Sequence, residues 1–229
     1  MGEDAASGDW VERFNAAGGD DLSPRRAEMR RVAAATREVI ERLVATAAPL
    51  EALTGAAEHL EAALAELEGH GQGRLYEGFA ESANAGDPRA FFDHSPIIGG
   101  ANPLAPPLRL EVRGGAIHGH ARFGAAYEGP PSSVHGGYVA AAFDEVLGMA
   151  QSLGGNPGMT GTLTVRYRRP TPLHTDLRFE ATLDRQEGRK LFTSGRLFAG
   201  DDLTAEAEGI FISVDFAKIA AMMARRDDE

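Results

Sequence analysis

Two features of the sequence, nine residues apart, could together act on a carbonyl group. The run His135–Gly137 (His-Gly-Gly) stands where a Gly/Pro-rich loop gives way to an apolar helical pattern, and Asp144 follows inside that pattern. N–H groups in the first turn of a helix have no partner within it, so they can bind a polarised carbonyl or an oxyanion. Glycine lets such a carbonyl approach the backbone closely. A carboxylate can activate water for attack on that carbonyl, so these residue types favour acyl transfer.

The spacing of these groups limits how they can cooperate. Asp144 lies eight residues beyond Gly136, which at a rise of about 1.5 Å per residue is about 12 Å along the helix axis. Both groups must act within hydrogen-bonding reach of one carbonyl carbon. One helix cannot supply both, so we expect Gly136 of one subunit to act with Asp144 of the partner subunit across a two-fold interface.

The helical pattern that carries Asp144 is apolar nearly all round, which is typical of a buried helix. The neighbours of Asp144 at helical spacing are Ala140, Ala141 and Gly148, all of them small. Small neighbours leave room beside the carboxylate for a molecule that is not protein. The alternative is a structural carboxylate that pairs with an arginine of the adjoining sheet.

A change of period along the chain predicts the elements that position these residues. Upstream, one helical pattern begins at Pro24 with Ser23 as N-cap, and a second follows Pro49 with leucines at intervals of three and four residues. We predict an αα-hairpin there, which covers a domain or an oligomer interface. Downstream, the pattern becomes strand-like apart from one helix. The predicted elements are the hairpin Leu108–Arg113 and Ile117–Phe123, the helix Gly136–Leu153, the strands Thr160–Arg168, Leu177–Asp184, Lys190–Phe198 and Ala205–Val214, and a tail helix Phe216–Arg226.

This order predicts an α+β fold in which one helix covers an antiparallel sheet. We divide the chain into a loosely ordered acidic segment at 1–23, a helical extension at 24–95 and a main domain at 96–229.

The motif and its context resemble one known family. His135–Gly137, then Asp144 and Gly148, then the strand and basic Pro-x-Pro segment Thr160–Pro172 are similar to the hotdog-fold thioesterase superfamily, specifically its phenylacetate-pathway-like acyl-CoA thioesterase branch. The resemblance covers roughly residues 95–215 and does not reach the helical extension. It implies an antiparallel sheet wrapped around one long buried helix, and hydrolysis of an acyl-CoA thioester to free acid and coenzyme A.

The resemblance also implies roles for individual residues. Asp144 is expected to be the general base or the nucleophile, Gly136 the oxyanion donor, and Thr160 a hydroxyl that positions water or the carbonyl. His135 and Gly137 are expected to line the substrate site. Two alternatives stay open, because threonine is a good strand former and a histidine at a helix entrance is often a cap.

Arg168 and Arg169 belong to the densest basic cluster of an acidic chain. Pantetheine-linked substrates carry phosphates, which arginine binds in bidentate fashion, so these two residues are expected to bind the coenzyme A nucleotide. A solvated strand end is the alternative. The sequence departs from some family members at Gly129, where they have an asparagine, and Ser132 or Ser133 could replace that residue.

Composition excludes several classes of function. The chain has no cysteine, which excludes disulfides, zinc–thiolate sites, iron–sulfur clusters and a cysteine nucleophile. A net charge of −11 disfavours binding to duplex nucleic acid or to an anionic membrane. The N-terminus has no apolar segment, so we expect a cytoplasmic protein. No cofactor is implied, and His118 and His120 lack a nearby third ligand, so no metal site is expected.

Three hypotheses from different classes remain. The first is an acyl-CoA thioesterase, active as a homodimer or as a dimer of dimers. The second is a hotdog protein that binds or senses acyl thioesters without turnover, which would not need Asp144. The third is a hotdog dehydratase, which ranks last because the acid stands in the hydrolase position. The acyl chain and the role of the helical extension are open.

Overall fold

Within the residues that the structure describes, the helices and strands expected from the sequence are present, with their ends shifted by a few residues. The computed structural model describes residues 22–70, 93–106, 108–155 and 158–213, so the segment 1–21 and the expected tail helix lie outside the described residues. Ser23 caps the first helix through its side chain, with proline at the first position, as predicted. The elements are the helices α1 (Pro24–Val44), α2 (Leu50–Glu68) and α3 (Gly136–Ser152), a 3₁₀ turn (Ala125–Tyr127), and the strands β1 (Arg109–Arg113), β2 (Ala116–Ala121), β3 (Gly158–Tyr167), β4 (Leu177–Glu187), β5 (Lys190–Ala199) and β6 (Asp202–Ser213).

The six strands form one antiparallel sheet in the order β1-β2-β4-β5-β6-β3. Alternate residues of β5 are buried, as expected of a strand with one face on a core. Helix α3 packs on that face and contacts β2, β3, β4, β5 and β6. The predicted α+β fold, one helix against an antiparallel sheet, is therefore confirmed.

Helix α3 is held on the sheet by large apolar side chains. Phe143 is fully buried and meets Phe179 of β4 edge-to-face, with ring centroids 5.4 Å apart. Burial of one such side chain contributes about 1.5–3 kcal/mol. Gly195 of β5 lets the helix come close, because a Cβ there would lie 3.1 Å from Leu147 Cδ2.

Strand β3 is an edge of the sheet and remains largely exposed. Its register against β6 shifts between Thr160 and Thr162, where the strand bulges. Most of its residues are exposed on both faces, including Met159 and Tyr167. A long uncovered edge strand offers unpaired backbone groups to another chain.

Helix α1 docks on the main domain through polar side chains. The Glu41 carboxylate accepts hydrogen bonds from the first two N–H groups of the 3₁₀ turn, at 2.7 and 2.9 Å. Arg37 donates to the carbonyl oxygens of Asn102 and Ala105, both at 2.8 Å. Helix α2, in contrast, has no buried residue. No helix within the described ranges combines the length and the apolar character that crossing a membrane requires.

Candidate active site

The structure brings Asp144 and Thr160 into direct contact. The Thr160 hydroxyl at the start of β3 donates a hydrogen bond of 2.8 Å to Asp144 Oδ1 on α3. Thr162 and Thr164 have the same strand propensity, yet no hydrogen bond links either to Asp144 within the described residues. The contact therefore singles out Thr160 on grounds of geometry.

The surroundings of Asp144 leave space on one side of α3. Ala140, Ala141 and Gly148 are only partly buried, like Asp144 itself, whereas the opposite face of the helix is fully buried. A Cβ at Gly148 would meet Phe211 only at ordinary contact distance, 3.7 Å. Asp144 forms no ion pair with an arginine in the described part of the chain. Its second oxygen is thus available to a water molecule or a substrate.

The first turn of α3 presents one unoccupied N–H group. His135 is the N-cap, and its Nδ1 accepts the Gly137 N–H at 3.0 Å. No hydrogen bond from the Gly136 N–H is formed within the described residues. Of the two glycines, Gly136 is the one that can donate to a ligand, while His135 acts here as a cap.

Tyr167 is a residue of this region that the sequence did not suggest. Its hydroxyl donates 2.8 Å to the carbonyl oxygen of Gly136, so it holds the first peptide of α3. Strand β3 thus contacts α3 at two of the predicted site residues, through Thr160 at Asp144 and through Tyr167 at Gly136. The sequence offered one indication of this role, a tyrosine seven residues after Thr160 on the same predicted strand. Tyrosine is common in strands, so its presence there did not predict a contact with α3.

Glu145, next to Asp144, has a hydrogen-bond partner that the sequence did not indicate. It accepts a 2.7 Å hydrogen bond from the Ser95 hydroxyl, whose oxygen in turn accepts the N–H groups of Ile97 and Ile98. Burial raises the pKa of Glu145, the hydrogen bond from Ser95 lowers it, and the charge of Asp144 raises it further. A second acid on an otherwise apolar helix could have indicated that a buried partner was needed.

Ser95 belongs to a segment that links α1 to α3. Two residues earlier, Asp93 is 4% exposed and binds Arg26 Nε at 2.7 Å and Arg30 Nε at 2.8 Å. Asp93 therefore fixes this segment to α1, and Ser95 fixes it to Glu145 on α3.

We expect Glu145→Gln to become more stable relative to the wild type as pH rises from about 4 to about 7. The folded state binds the Glu145 proton more tightly than the unfolded state, so the wild-type free energy of unfolding falls as pH rises through this window. Glutamine keeps an oxygen for the Ser95 hydroxyl and carries no charge to desolvate. Urea unfolding at several pH values measures the difference.

The matched control is Glu66→Gln, which removes the same charge from an exposed position of α2. The difference in free energy of unfolding between Glu66→Gln and the wild type should vary less with pH than the difference between Glu145→Gln and the wild type. The prediction would be contradicted if the free energy of unfolding of Glu145→Gln, relative to the wild type, stayed constant or fell as pH rises across this range.

Arg168 was predicted as the last residue of the strand, but β3 ends at Tyr167, so Arg168 and Arg169 both lie beyond it, and both have acidic partners. Arg168 pairs with Glu206 and Arg169 with Asp202. Both arginine side chains are more than half exposed, so the pairs are solvated and contribute little to stability. A phosphate could therefore displace these carboxylates at small cost.

The loop before the motif explains the glycine at position 129. A Cβ on Gly129 would lie 2.7 Å from the Cα of His135, so an asparagine does not fit this backbone. Ser132 adopts a positive φ of 60°, and its N–H binds Glu128. Ser133 is buried, and its hydroxyl donates to the carbonyl oxygen of Pro131. No hydrogen bond joins either serine to Asp144 or Gly136 within the described residues.

Fold and site together define a hotdog-type domain in which an acid on the central helix is hydrogen-bonded to a hydroxyl on the edge strand β3, and comparisons with known proteins identify the family. Residues 132–206 match the thioesterase superfamily model. The solved structure of RHA08564, a thioesterase superfamily protein, is 35% identical, with a TM-score of 0.70 over 80% of this chain and 94% of that one. The chain belongs to the thioesterase superfamily.

Curated relatives match about two fifths of the chain. Acyl-coenzyme A thioesterase THEM4 of Bos taurus is 39% identical over 90 residues, which cover 38% of this chain and 37% of that protein. Acyl-coenzyme A thioesterase THEM5 of Homo sapiens is 31% identical over 93 residues, 40% of this chain and 38% of that protein. The match thus spans less than half the length of these relatives.

Proposed function

We propose that the protein hydrolyses an acyl-CoA thioester to a free acid and coenzyme A. The observation that carries this proposal is the hydrogen bond from Thr160 to Asp144 on the partly open face of α3. It holds one carboxylate oxygen and leaves the other free for water. The names of the THEM4 and THEM5 relatives support the same reaction.

In the proposed reaction Asp144 acts as general base or as nucleophile. As a base, its free oxygen takes a proton from water while the water oxygen bonds to the thioester carbon. The carbonyl electron pair moves onto oxygen and is stabilised by the Gly136 N–H. When the carbonyl re-forms, the C–S bond breaks and the thiolate takes the proton from Asp144. As a nucleophile, Asp144 would form a mixed anhydride that water then hydrolyses.

The active unit is proposed to be a homodimer. Asp144 and Gly136 contact β3 at different residues, Thr160 and Tyr167, so the two groups lie at separate points of the helix. The exposed edge strand β3 and the partly uncovered face of α3 are the surfaces that a second subunit would cover. The proposed chemistry requires one dimer and does not depend on the association of two dimers.

The remaining predicted residues have supporting roles in this proposal. Gly137 gives the carbonyl room at the helix start, and His135 keeps the Gly137 N–H engaged so that Gly136 donates to substrate. Arg168 and Arg169 exchange their carboxylate partners for the phosphates of coenzyme A.

Release of free thiol from a panel of acyl-CoAs, with short, long and aryl acyl groups, tests the proposal. We expect turnover of at least one of them well above the rate without protein, and the preferred substrate identifies the acyl class. Purified protein that binds acyl-CoA in a calorimetric titration but releases no thiol would overturn the proposal in favour of a non-catalytic binding protein.

A further inference from the structure

Helix α1 is oriented opposite to what its amphipathic pattern predicts. Its contacts with the main domain come from charged residues, among them Arg30, Arg37 and Glu41, and its one buried residue is the small Ala33. An apolar stripe lies on another side of the helix and is exposed, with Val32 51% and Leu43 55% accessible. An amphipathic helix ordinarily buries its apolar stripe. We define Val32, Val39 and Leu43 as the α1 stripe.

Helix α2 has a longer apolar stripe, and nothing in the described residues buries it. We define the α2 stripe as Leu53, Ala57, Leu60, Leu64 and Leu67. Its intervals of four and three residues are those of a helix that packs against another helix. In proteins most of the stability of a helix comes from packing of its apolar face, and this 19-residue helix has no buried residue. An exposed apolar patch of this kind marks an interaction surface.

The charges of the two helices indicate which surfaces fit each other. Helix α1 contains six arginines and three glutamates, while α2 contains five glutamates and no lysine or arginine. Two α2 helices would repel each other, whereas α1 and α2 attract. The α2 stripe is therefore matched to the α1 stripe rather than to a second α2.

We propose that the α2 stripe of one protomer packs against the α1 stripe of a second copy of this chain. The single chain leaves both stripes exposed, although the five-residue connection 45–49 is long enough for a helix hairpin. The second copy offers the same pair of surfaces, so two such contacts form in a two-fold arrangement. This contact would give the helical extension its role in assembly, independently of catalysis.

Cross-linking between isotopically distinct copies tests the contact. Because the chain has no cysteine, Ala57→Cys places a single benzophenone label within the α2 stripe. Full-length chains of natural and of ¹⁵N composition are co-refolded in equal amounts, and native mass spectrometry verifies mixed complexes. After irradiation, we expect cross-linked peptides that join α2 to α1. In about half of these cross-links, one peptide should be of natural composition and the other ¹⁵N-labelled. A cross-link within one chain always joins two peptides of the same composition.

Three further variants make the outcome specific. Ala62→Cys places the same label on the opposite side of α2 and should give few cross-links to α1. Leu60→Glu with Leu64→Glu should lower the yield from Ala57→Cys at least several-fold, whereas Ala52→Glu with Ala62→Glu adds the same charge off the stripe and should not. Cross-links of one isotope only would mean an intrachain hairpin, and no cross-link to α1 in verified mixed complexes would mean another occupant. Either result overturns the proposal.

Discussion

Asp144→Asn lowers kcat for the preferred acyl-CoA by at least about 10²-fold, the usual scale for the loss of a positioned acid–base group. Asparagine has the same shape, and its amide oxygen can still accept the 2.8 Å hydrogen bond from Thr160, so the local structure should persist. What is lost is the free carboxylate oxygen that would take a proton from water or attack the thioester carbon. Steady-state kinetics should therefore show a fall in kcat with little change in KM.

The matched control for this change is Asp176→Asn, which alters an exposed carboxylate paired with Arg122. It should leave kcat near the wild-type value. Equal melting temperatures for wild type and Asp144→Asn would show that the fall is chemical. If Asp144→Asn kept kcat within a few-fold of wild type while acyl-CoA hydrolysis persisted, Asp144 would be a structural acid and the proposed mechanism would be wrong.

The fold was predictable from the sequence because its signals are local. Pro24 after Ser23, the glycines that open α3, and the change from helical to alternating period each fix the start or the type of an element without long-range information. The order of strands in the sheet is a different matter, since β3 pairs with β6 at the edge rather than with its neighbour in sequence. That order was not predicted, because the periodicity of a strand does not specify which other strand it pairs with.

The candidate site was predictable only in part. Asp144 and Gly136 stand out by residue type, and their separation follows from helix geometry. Tyr167 and Ser95 do not stand out, because their roles depend on which backbone carbonyl or carboxylate lies within 3 Å after folding. The hydrogen bond from the Gly137 N–H to His135 was likewise not visible from residue types, and only the family resemblance distinguished Gly136 from Gly137 as the expected donor.

Gly136→Pro should lower kcat by about 10²–10³-fold, the scale for removal of one oxyanion donor. Proline deletes the N–H that has no partner in the described residues and keeps the rest of the helix ladder. The site tolerates it, because Gly136 is the first residue of α3, where proline is favoured. The preceding His135 has φ −58° and ψ 130°, which is the conformation that a residue before proline adopts.

Gly136→Ala separates the loss of the N–H from the added bulk. Both variants place a Cβ about 3.4 Å from the Tyr167 ring and hydroxyl, but alanine keeps the N–H. We therefore expect alanine to lower kcat only a few-fold, with melting temperatures of both variants close to wild type. If both variants lost activity equally, the contact with Tyr167 or the space for substrate would explain the loss, and the Gly136 N–H would not be the donor. A large difference between them would place the loss at the backbone nitrogen of Gly136, where proline replaces the N–H with Cδ.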